Sequence, residues 1–183
     1  MRIAVSGTHF SGKSTLVQAL GKELPGYEIY DEPYWALTEL GRQFSDPPTI
    51  EEFEEQLEYS IALIKESSTN AIFDRCPIDF LGYALAVAEI DAIEFDSETW
   101  ASRIAKILPS IDLLVFLPLE NPDRIPVPAS EDRLLRELVD EKLRELIIEN
   151  SRHIMTAKAL EMTGSVDERV KEIKQHLCRL LRN

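Results

Sequence analysis

The chain has 183 residues, of which 44% are hydrophobic, and this share is enough to build the core of one compact domain. Its formal net charge of −13 at pH 7 argues against nucleic-acid binding, which needs a basic face, and against an anionic membrane surface. The two cysteines form no disulfide framework, and no apolar run approaches transmembrane length, so we expect a cytoplasmic protein.

The first predicted elements are a buried strand over residues 2–6 and a helix over residues 14–24, joined by "GTHFSGKST". This segment matches the phosphate-binding pattern G-x-x-x-x-G-K-[ST] in the strand–loop–helix setting that the pattern requires. Glycines let successive backbone N–H groups point at an anion, and the helix N-terminus adds partial positive charge. The segment therefore predicts an ATP phosphate site formed by Gly7, Thr8, Ser11, Gly12, Lys13, Ser14 and Thr15.

Two side chains of this loop carry particular chemistry. Lys13 can reach the β- and γ-phosphates and neutralise the charge that develops during phosphoryl transfer. The Ser14 hydroxyl can ligate Mg²⁺, so we expect ATP and Mg²⁺ as cofactors. The alternative is an ordinary glycine-rich turn, which the flanking strand and helix disfavour.

The second predicted strand, residues 27–33, ends in "DEP". Near a γ-phosphate, Glu32 could accept the proton of an acceptor hydroxyl, and Pro33 fixes the backbone just after it. Tyr34 and Trp35 offer flat faces to an aromatic substrate. The alternative is that both aromatic residues belong to the core and Glu32 is a turn residue.

The third predicted strand, residues 70–75, also ends in charge. Asp74 is placed like the acid that positions Mg²⁺ beside a P-loop, although it could instead support the N-terminus of the helix that begins at Pro77. Arg75 could bind a phosphate oxygen and neutralise transferring charge, or it could be an ion-pair partner of Asp74 or Glu32.

The alternation of strands and helices predicts an α/β fold: a three-layer P-loop NTPase with a five-stranded parallel sheet, helices on both faces, and one domain over residues 1–183. Ligands bind beyond the carboxyl ends of such strands, so the P-loop, Glu32 and Asp74-Arg75 should lie at one edge. The remaining predicted elements are helices over 34–44, 50–68, 77–90, 96–108, 131–157 and 165–183, and strands over 112–120 and 159–163.

A proline-rich loop and the start of the following helix predict a lid over residues 121–136. Arg124, Arg133 and Arg136 lie in it, and we expect Arg124 or Arg133 to be the arginine that closes over the triphosphate, although surface salt bridges also account for the helix pattern. After the last strand, the Gly164 backbone is placed to contact the nucleotide base, or simply forms a turn into the next helix.

The motifs "GTHFSGKST", "DEPYW" and "FDRC" resemble, in order and spacing, those of deoxynucleoside and thymidylate kinases. The resemblance implies that Glu32 is the general base and that an acid–arginine pair ends the third strand. "FEEQLEY" resembles the substrate helix of that family, which implies that Gln56 binds the acceptor. "DRCPIDFLGY" resembles small AAA-like ATPase or kinase domains, to which nicotinamide riboside kinases are related. Cys76 stands where deoxynucleoside kinases carry serine.

We predict a kinase that moves the γ-phosphoryl group of ATP to a nucleoside- or nucleotide-like small molecule. Its catalytic residues would be Lys13, Glu32, Arg75, Arg124 and Arg133, and its substrate-binding residues Glu32, Trp35, Gln56 and Arg75. The alternative is a regulatory P-loop ATPase switch that acts through a protein partner. A GTPase is disfavoured because no N-K-x-D motif is present, and a homodimer is left open.

Overall fold

The computed structural model describes residues 1–180, so the last part of the predicted C-terminal helix, 181–183, lies outside the described residues. In chain order the elements are β1 (Arg2–Ser6), α1 (Lys13–Glu23), β2 (Glu28–Tyr30), α2 (Pro33–Glu39), α3 (Ile50–Glu66), β3 (Ala71–Asp74), α4 (Pro77–Asp91), α5 (Ser97–Ile107), a 3₁₀ turn (Leu108–Ser110), β4 (Leu113–Phe116), α6 (Arg133–Ile147), β5 (Lys158–Glu161) and α7 (Val166–Leu180).

The five strands form one parallel sheet in the order β2-β3-β1-β4-β5. β1 is central, and its carboxyl end pairs Val5 with Asp74 of β3 and Ser6 with Phe116 of β4. The segments that follow β1, β2 and β3 therefore leave the sheet at the same edge. The predicted α/β fold class is confirmed.

Helices cover both faces of the sheet, because successive side chains of a strand point to opposite faces. Ala4 and Phe73 face a core shared with α3, α4, α5 and α6, whereas Ile3, Val5 and Ile72 face a smaller core shared with α1 and α7. This gives the three layers. Among residues 1–180, no helix is both long and apolar enough to cross a membrane.

Helix α6 ends ten residues before the predicted boundary at residue 157. Asn150 adopts a left-handed conformation, with φ 49°, and the Ser151 N–H donates to the Glu145 carbonyl, so the chain turns out of the helix at this point. The Asn150 side chain then pairs with both the N–H and the carbonyl of Met155. Because the apolar periodicity of the sequence continues past this turn, it predicted a helix that was too long.

Helix α2 is also shorter than the predicted 34–44. The Arg42 N–H donates to the Leu37 carbonyl and the Gly41 N–H to the Thr38 carbonyl, so this helix closes in a Schellman motif. The chain then runs as a loop to the Thr49 cap of α3. Helix α3 fixes this loop, because the buried Glu52 carboxylate accepts hydrogen bonds from the N–H and the hydroxyl of Ser45, both at 2.7 Å.

Candidate active site

The P-loop connects β1 to α1 with a backbone that only glycine fits at two positions. Gly7 has φ 151°, and a Cβ there would lie 2.6 Å from the carbonyl oxygen of Leu117. Gly12 has φ 93° and is the residue that precedes α1. The loop therefore presents its backbone at the N-terminus of α1, where unpaired N–H groups and the helix dipole favour an anion.

Lys13 is the buried cation of this loop. Its ammonium group donates to the Thr8 carbonyl at 2.7 Å. Burial, and next the nearby Arg75 guanidinium, lower the pKa of Lys13 from 10.5 to about 8. Because burial disfavours the charged form of this ammonium group, a polyphosphate bound beside it would stabilise its charge. Ser14 and Thr15 are exposed in the first turn of α1.

Asp74 is buried at the end of β3, and its Oδ1 atom has no hydrogen-bond partner. Burial raises the pKa of Asp74, while Lys13 and a hydrogen bond with the Ser14 hydroxyl oppose that rise. An orphaned carboxylate oxygen beside an exposed hydroxyl fits Mg²⁺, which takes few protein ligands and completes its shell with water and phosphate oxygens. Within residues 1–180 no cluster of three or more His, Cys, Asp or Glu residues could hold a metal.

Arg75 lies at the centre of the site and is almost fully buried. Its Nε donates to Glu32 Oε1 at 2.5 Å, Nη1 to the Gly7 carbonyl at 3.0 Å, and Nη2 to the Tyr83 hydroxyl at 3.2 Å. The backbone of Arg75 has φ 82°, a strained conformation for a residue with a side chain and one that recurs at functional sites. Arg75 thus connects Glu32 to the P-loop and is an ion-pair partner of Glu32, one of the alternatives given above. Three of its five N–H donors are used in these bonds, and two remain.

Glu32 precedes α2 and points to the same place. Burial would raise its pKa, but the Arg75 and Lys13 charges together hold the pKa of Glu32 below 4.5. The carboxylate is therefore ionised at neutral pH. An ionised carboxylate fixed by one arginine at the edge of the P-loop can accept a proton from a hydroxyl placed beside a γ-phosphate.

Asp79 is a residue of the site that the sequence analysis missed. Its fully buried carboxylate accepts from the Ser6 hydroxyl at 2.6 Å, the Gly7 N–H at 3.0 Å and the Cys76 N–H at 2.9 Å. Asp79 thereby joins the start of the P-loop to the start of α4. The sequence contains a pattern that could have indicated this role: Asp79 lies three residues after the N-cap Cys76, which is the spacing of a capping box.

Beside the P-loop lies a pocket of about 390 Å³, bounded by α2, the loop before α3, and the starts of α3 and α4. All four residues predicted to bind the acceptor line it: Glu32, Trp35, Gln56 and Arg75. The Gln56 side chain is buried and donates to the Glu52 carbonyl at 3.1 Å. This volume suits a nucleoside-sized molecule, and the walls are largely aromatic.

Several residues of this pocket were not predicted, among them His9, Phe53 and Tyr83. The His9 ring packs edge-on against Tyr83, with ring centroids 5.1 Å apart, and Tyr83 packs against Phe53 at 5.2 Å. Burial, and next the Arg75 charge, lower the pKa of His9 to about 3, so the imidazole is neutral at physiological pH. No sequence pattern pointed to these residues, because they meet only through the tertiary fold.

The predicted lid residues lie next to the P-loop, but the arginine of the lid that bonds to the P-loop is Arg136. Its Nε donates to the His9 carbonyl at 3.0 Å, and its Nη2 atom pairs with Asp123 at 2.6 Å. Arg133 is exposed on the first turn of α6, and Arg124 is exposed and pairs with Glu120 at 2.7 Å. In this conformation neither Arg124 nor Arg133 bonds to the P-loop, among the residues that the structure describes.

Glu120 links Gly164 to the P-loop. It follows β4 and accepts from the Gly164 N–H at 3.3 Å and from the buried Arg169 at 2.6 Å. Arg169 in turn reaches the Ser11 carbonyl at 3.4 Å. A second, more open groove of about 920 Å³ runs between α1 and α7 from Thr15 and Val166, so the P-loop borders one space on each side.

The sequence matches a known protein family. A family model of the AAA domain covers residues 2–169. Among curated proteins, none matches the sequence. The fold is shared with a deoxyadenosine kinase from M. mycoides, with a TM-score of 0.72 and 17% identity over 98% of this chain and 100% of that one.

Two further solved structures share the fold. Thymidylate kinase from Candida albicans has a TM-score of 0.60 and 15% identity over 96% of this chain and 90% of that one. The YorR protein from Bacillus subtilis, in complex with phosphorylated GDP, has a TM-score of 0.59 and 19% identity over 100% of this chain and 99% of that one. The chain thus has a P-loop fold of the nucleoside and nucleotide kinase type.

Proposed function

The chain belongs to the AAA domain family, and from that premise we propose that it is an ATP-dependent phosphotransferase whose acceptor is a nucleoside- or nucleotide-like small molecule. The observation that carries the proposal is the pocket of about 390 Å³ beside the P-loop, with Glu32 between the two. A nucleotide switch that only hydrolyses ATP has no need of an aromatic-lined space at the γ-phosphate. The domain would span residues 1–183, with a lid over 121–136.

In the proposed reaction an acceptor hydroxyl oxygen attacks the γ-phosphorus of ATP. The new O–P bond forms as the bond between the γ-phosphorus and the β–γ bridging oxygen breaks, and ADP leaves. The proton of the hydroxyl passes to Glu32, which Arg75 holds in place. Lys13 neutralises charge on the transferring group, and backbone N–H groups of residues 7–15 bind the phosphates.

Mg²⁺, when bound at Ser14 with Asp74 behind it, would neutralise phosphate oxygens of ATP. Thr15 and the groove between α1 and α7 would receive the donor side, and Gly164, two residues before α7, would contact the nucleotide base. Trp35 and Gln56 would position the acceptor, and Arg124 or Arg133 would close over the triphosphate together with Arg136.

The function is tested by measuring ADP release with ATP and Mg²⁺ while nucleosides, nucleotides and related metabolites are added one at a time. We expect release that depends on an acceptor, with a phosphorylated acceptor formed in equal amount. Slow release at one rate for all additions would contradict the proposal and favour the regulatory ATPase.

Asp74→Asn is expected to weaken the apparent affinity for Mg²⁺ by about tenfold or more, because it removes the charge behind the metal and no acceptor contact. The measurement is the Mg²⁺ dependence of ADP release at saturating acceptor. Asp112→Asn, which changes a carboxylate at the opposite edge of the sheet, is the control. An unchanged Mg²⁺ titration in Asp74→Asn would count against the metal assignment.

Amide hydrogen exchange across residues 121–136 is expected to slow when a non-hydrolysable ATP analogue and Mg²⁺ bind, and to slow further with acceptor. The loop 121–130 is mostly exposed, so its amides should exchange readily in the free protein. Arg136 already contacts the His9 carbonyl, so phosphates in the P-loop would add a second anchor for this segment. Protection limited to residues 7–16 would show that the segment is not a lid.

A further inference from the structure

We propose that the acceptor pocket selects a hydroxyl compound that carries no phosphate of its own, and that Asp46 is a determinant of this selection. The inference rests on the proposed function, since it specifies the acceptor of that same site. It divides the two acceptor classes that the proposed function leaves together: nucleosides would be accepted and nucleoside monophosphates rejected.

The charged side chains that line the pocket are Glu32, Asp46 and Arg75, and the half-buried His9 is neutral at physiological pH. Protein sites for phosphate monoesters normally supply free arginine or lysine donors. Within residues 1–180, the only cationic side chain that lines the pocket is Arg75, and its single charge is already paired with the Glu32 carboxylate, so its two remaining N–H donors bring no uncompensated charge.

At the reacting end of the acceptor, the positive charge of Arg75 is already compensated. The Arg75 guanidinium lies 2.5 Å from a Glu32 oxygen and 3.6 Å from Asp79 Oδ1, so two carboxylates already compensate its single charge. In a monophosphate acceptor the nucleophile would be a phosphate oxygen, and it would lie against the Glu32 carboxylate. Like charges at contact distance in a partly buried site repel strongly, whereas a neutral hydroxyl can donate to Glu32.

The outer wall of the pocket carries Asp46, which lies in the loop before α3. Within the described residues 1–180, no cation pairs with it. The buried Glu52 holds this loop through two hydrogen bonds from Ser45, so Asp46 is held at the wall. Arg42, the nearest basic residue in sequence, is paired with Glu55 at 2.6 Å.

The remaining walls suit an aromatic ring rather than an anion. The Trp35 side chain is 60% exposed, and Tyr34 stacks on Phe44 with ring centroids 4.8 Å apart. Exposed indole and phenol faces gain from stacking against a flat ring, and their negative faces disfavour a phosphate.

The test compares matched pairs of acceptors on the full chain with ATP and Mg²⁺: deoxyadenosine with dAMP, deoxycytidine with dCMP, and thymidine with dTMP. Acceptor-dependent ADP release gives kcat/KM, and calorimetric titration in the presence of a non-hydrolysable ATP analogue gives affinity without turnover. We expect a nucleoside to exceed its own monophosphate by about a hundredfold or more in both measurements.

Asp46→Lys then tests the residue. Reversing this charge should raise the kcat/KM ratio of monophosphate to nucleoside by about tenfold or more. Asp91→Lys, the same charge change at the far end of α4, should leave the ratio as in the wild type. An unchanged ratio in Asp46→Lys, with the protein folded, would remove Asp46 from the selection.

The outcomes separate this inference from the proposed function. A monophosphate that reacts as well as its nucleoside, or better, overturns the charge selection and leaves the kinase standing. If no compound stimulates ADP release, the kinase proposal fails, and titration still decides the selection. Binding of nucleosides over monophosphates supports it, and the reverse order, or no binding of either class, overturns it.

Discussion

Lys13→Ala is expected to lower the phosphotransfer rate by about a hundredfold or more while the protein stays folded. The ammonium group is the cation of the proposed phosphate loop, and loss of one such electrostatic donor typically costs about two to three orders of magnitude in kcat. The measurement is acceptor-dependent ADP release at saturating ATP, with thermal unfolding recorded on the same preparation.

The fold is expected to survive this change because Lys13 is an unfavourable charge in the free protein. Burial, and next Arg75, hold the pKa of Lys13 at about 8, below 10.5, so the folded state binds its proton more weakly than the unfolded chain. The wild-type stability should therefore rise as pH increases from about 8 to 10.5, and this rise should be absent in Lys13→Ala. Near-normal turnover in a folded Lys13→Ala protein would remove Lys13 from the mechanism.

The parts of the site that the sequence predicted are those that follow from chain order and a parallel sheet. The P-loop, Glu32 and Asp74-Arg75 each follow an apolar strand, and the parallel arrangement of β1, β2 and β3 brings them to one edge. Only the direction of each strand matters for this arrangement. The wrongly predicted ends of α2 and α6 therefore did not affect the prediction of the site.

The parts that could not be predicted depend on contacts between distant segments. Glu120 and Arg169 are 49 residues apart, and no local pattern pairs them. Arg136 is a partial exception. It lies three residues before Val139 and seven before Leu143, so it shares the buried face of α6, and this phase distinguishes it from the exposed Arg133. The amphipathic pattern of α6 thus held information that the arginine assignment did not use.

Glu32→Gln is expected to reduce kcat by about a hundredfold or more and to change ATP affinity little. The amide keeps the size of the side chain and can still accept a hydrogen bond from Arg75, but it cannot take the proton of the acceptor hydroxyl. The measurements are kcat with saturating ATP and acceptor, and the affinity for a non-hydrolysable ATP analogue. Glu28→Gln, the same change on an exposed residue of β2, the strand that precedes Glu32, is the control.

The split between rate and affinity is what distinguishes a base from a positioning residue. If Glu32 acted only through its charge, by holding Arg75 against the Gly7 carbonyl, the neutral amide would hold Arg75 less firmly, and ATP affinity would fall while kcat at saturation was preserved. Loss of both in parallel would indicate general damage to the site, and a lowered unfolding temperature would reveal it. A fall in kcat alone, with the unfolding temperature and ATP affinity of the wild type, leaves proton transfer as the role of Glu32.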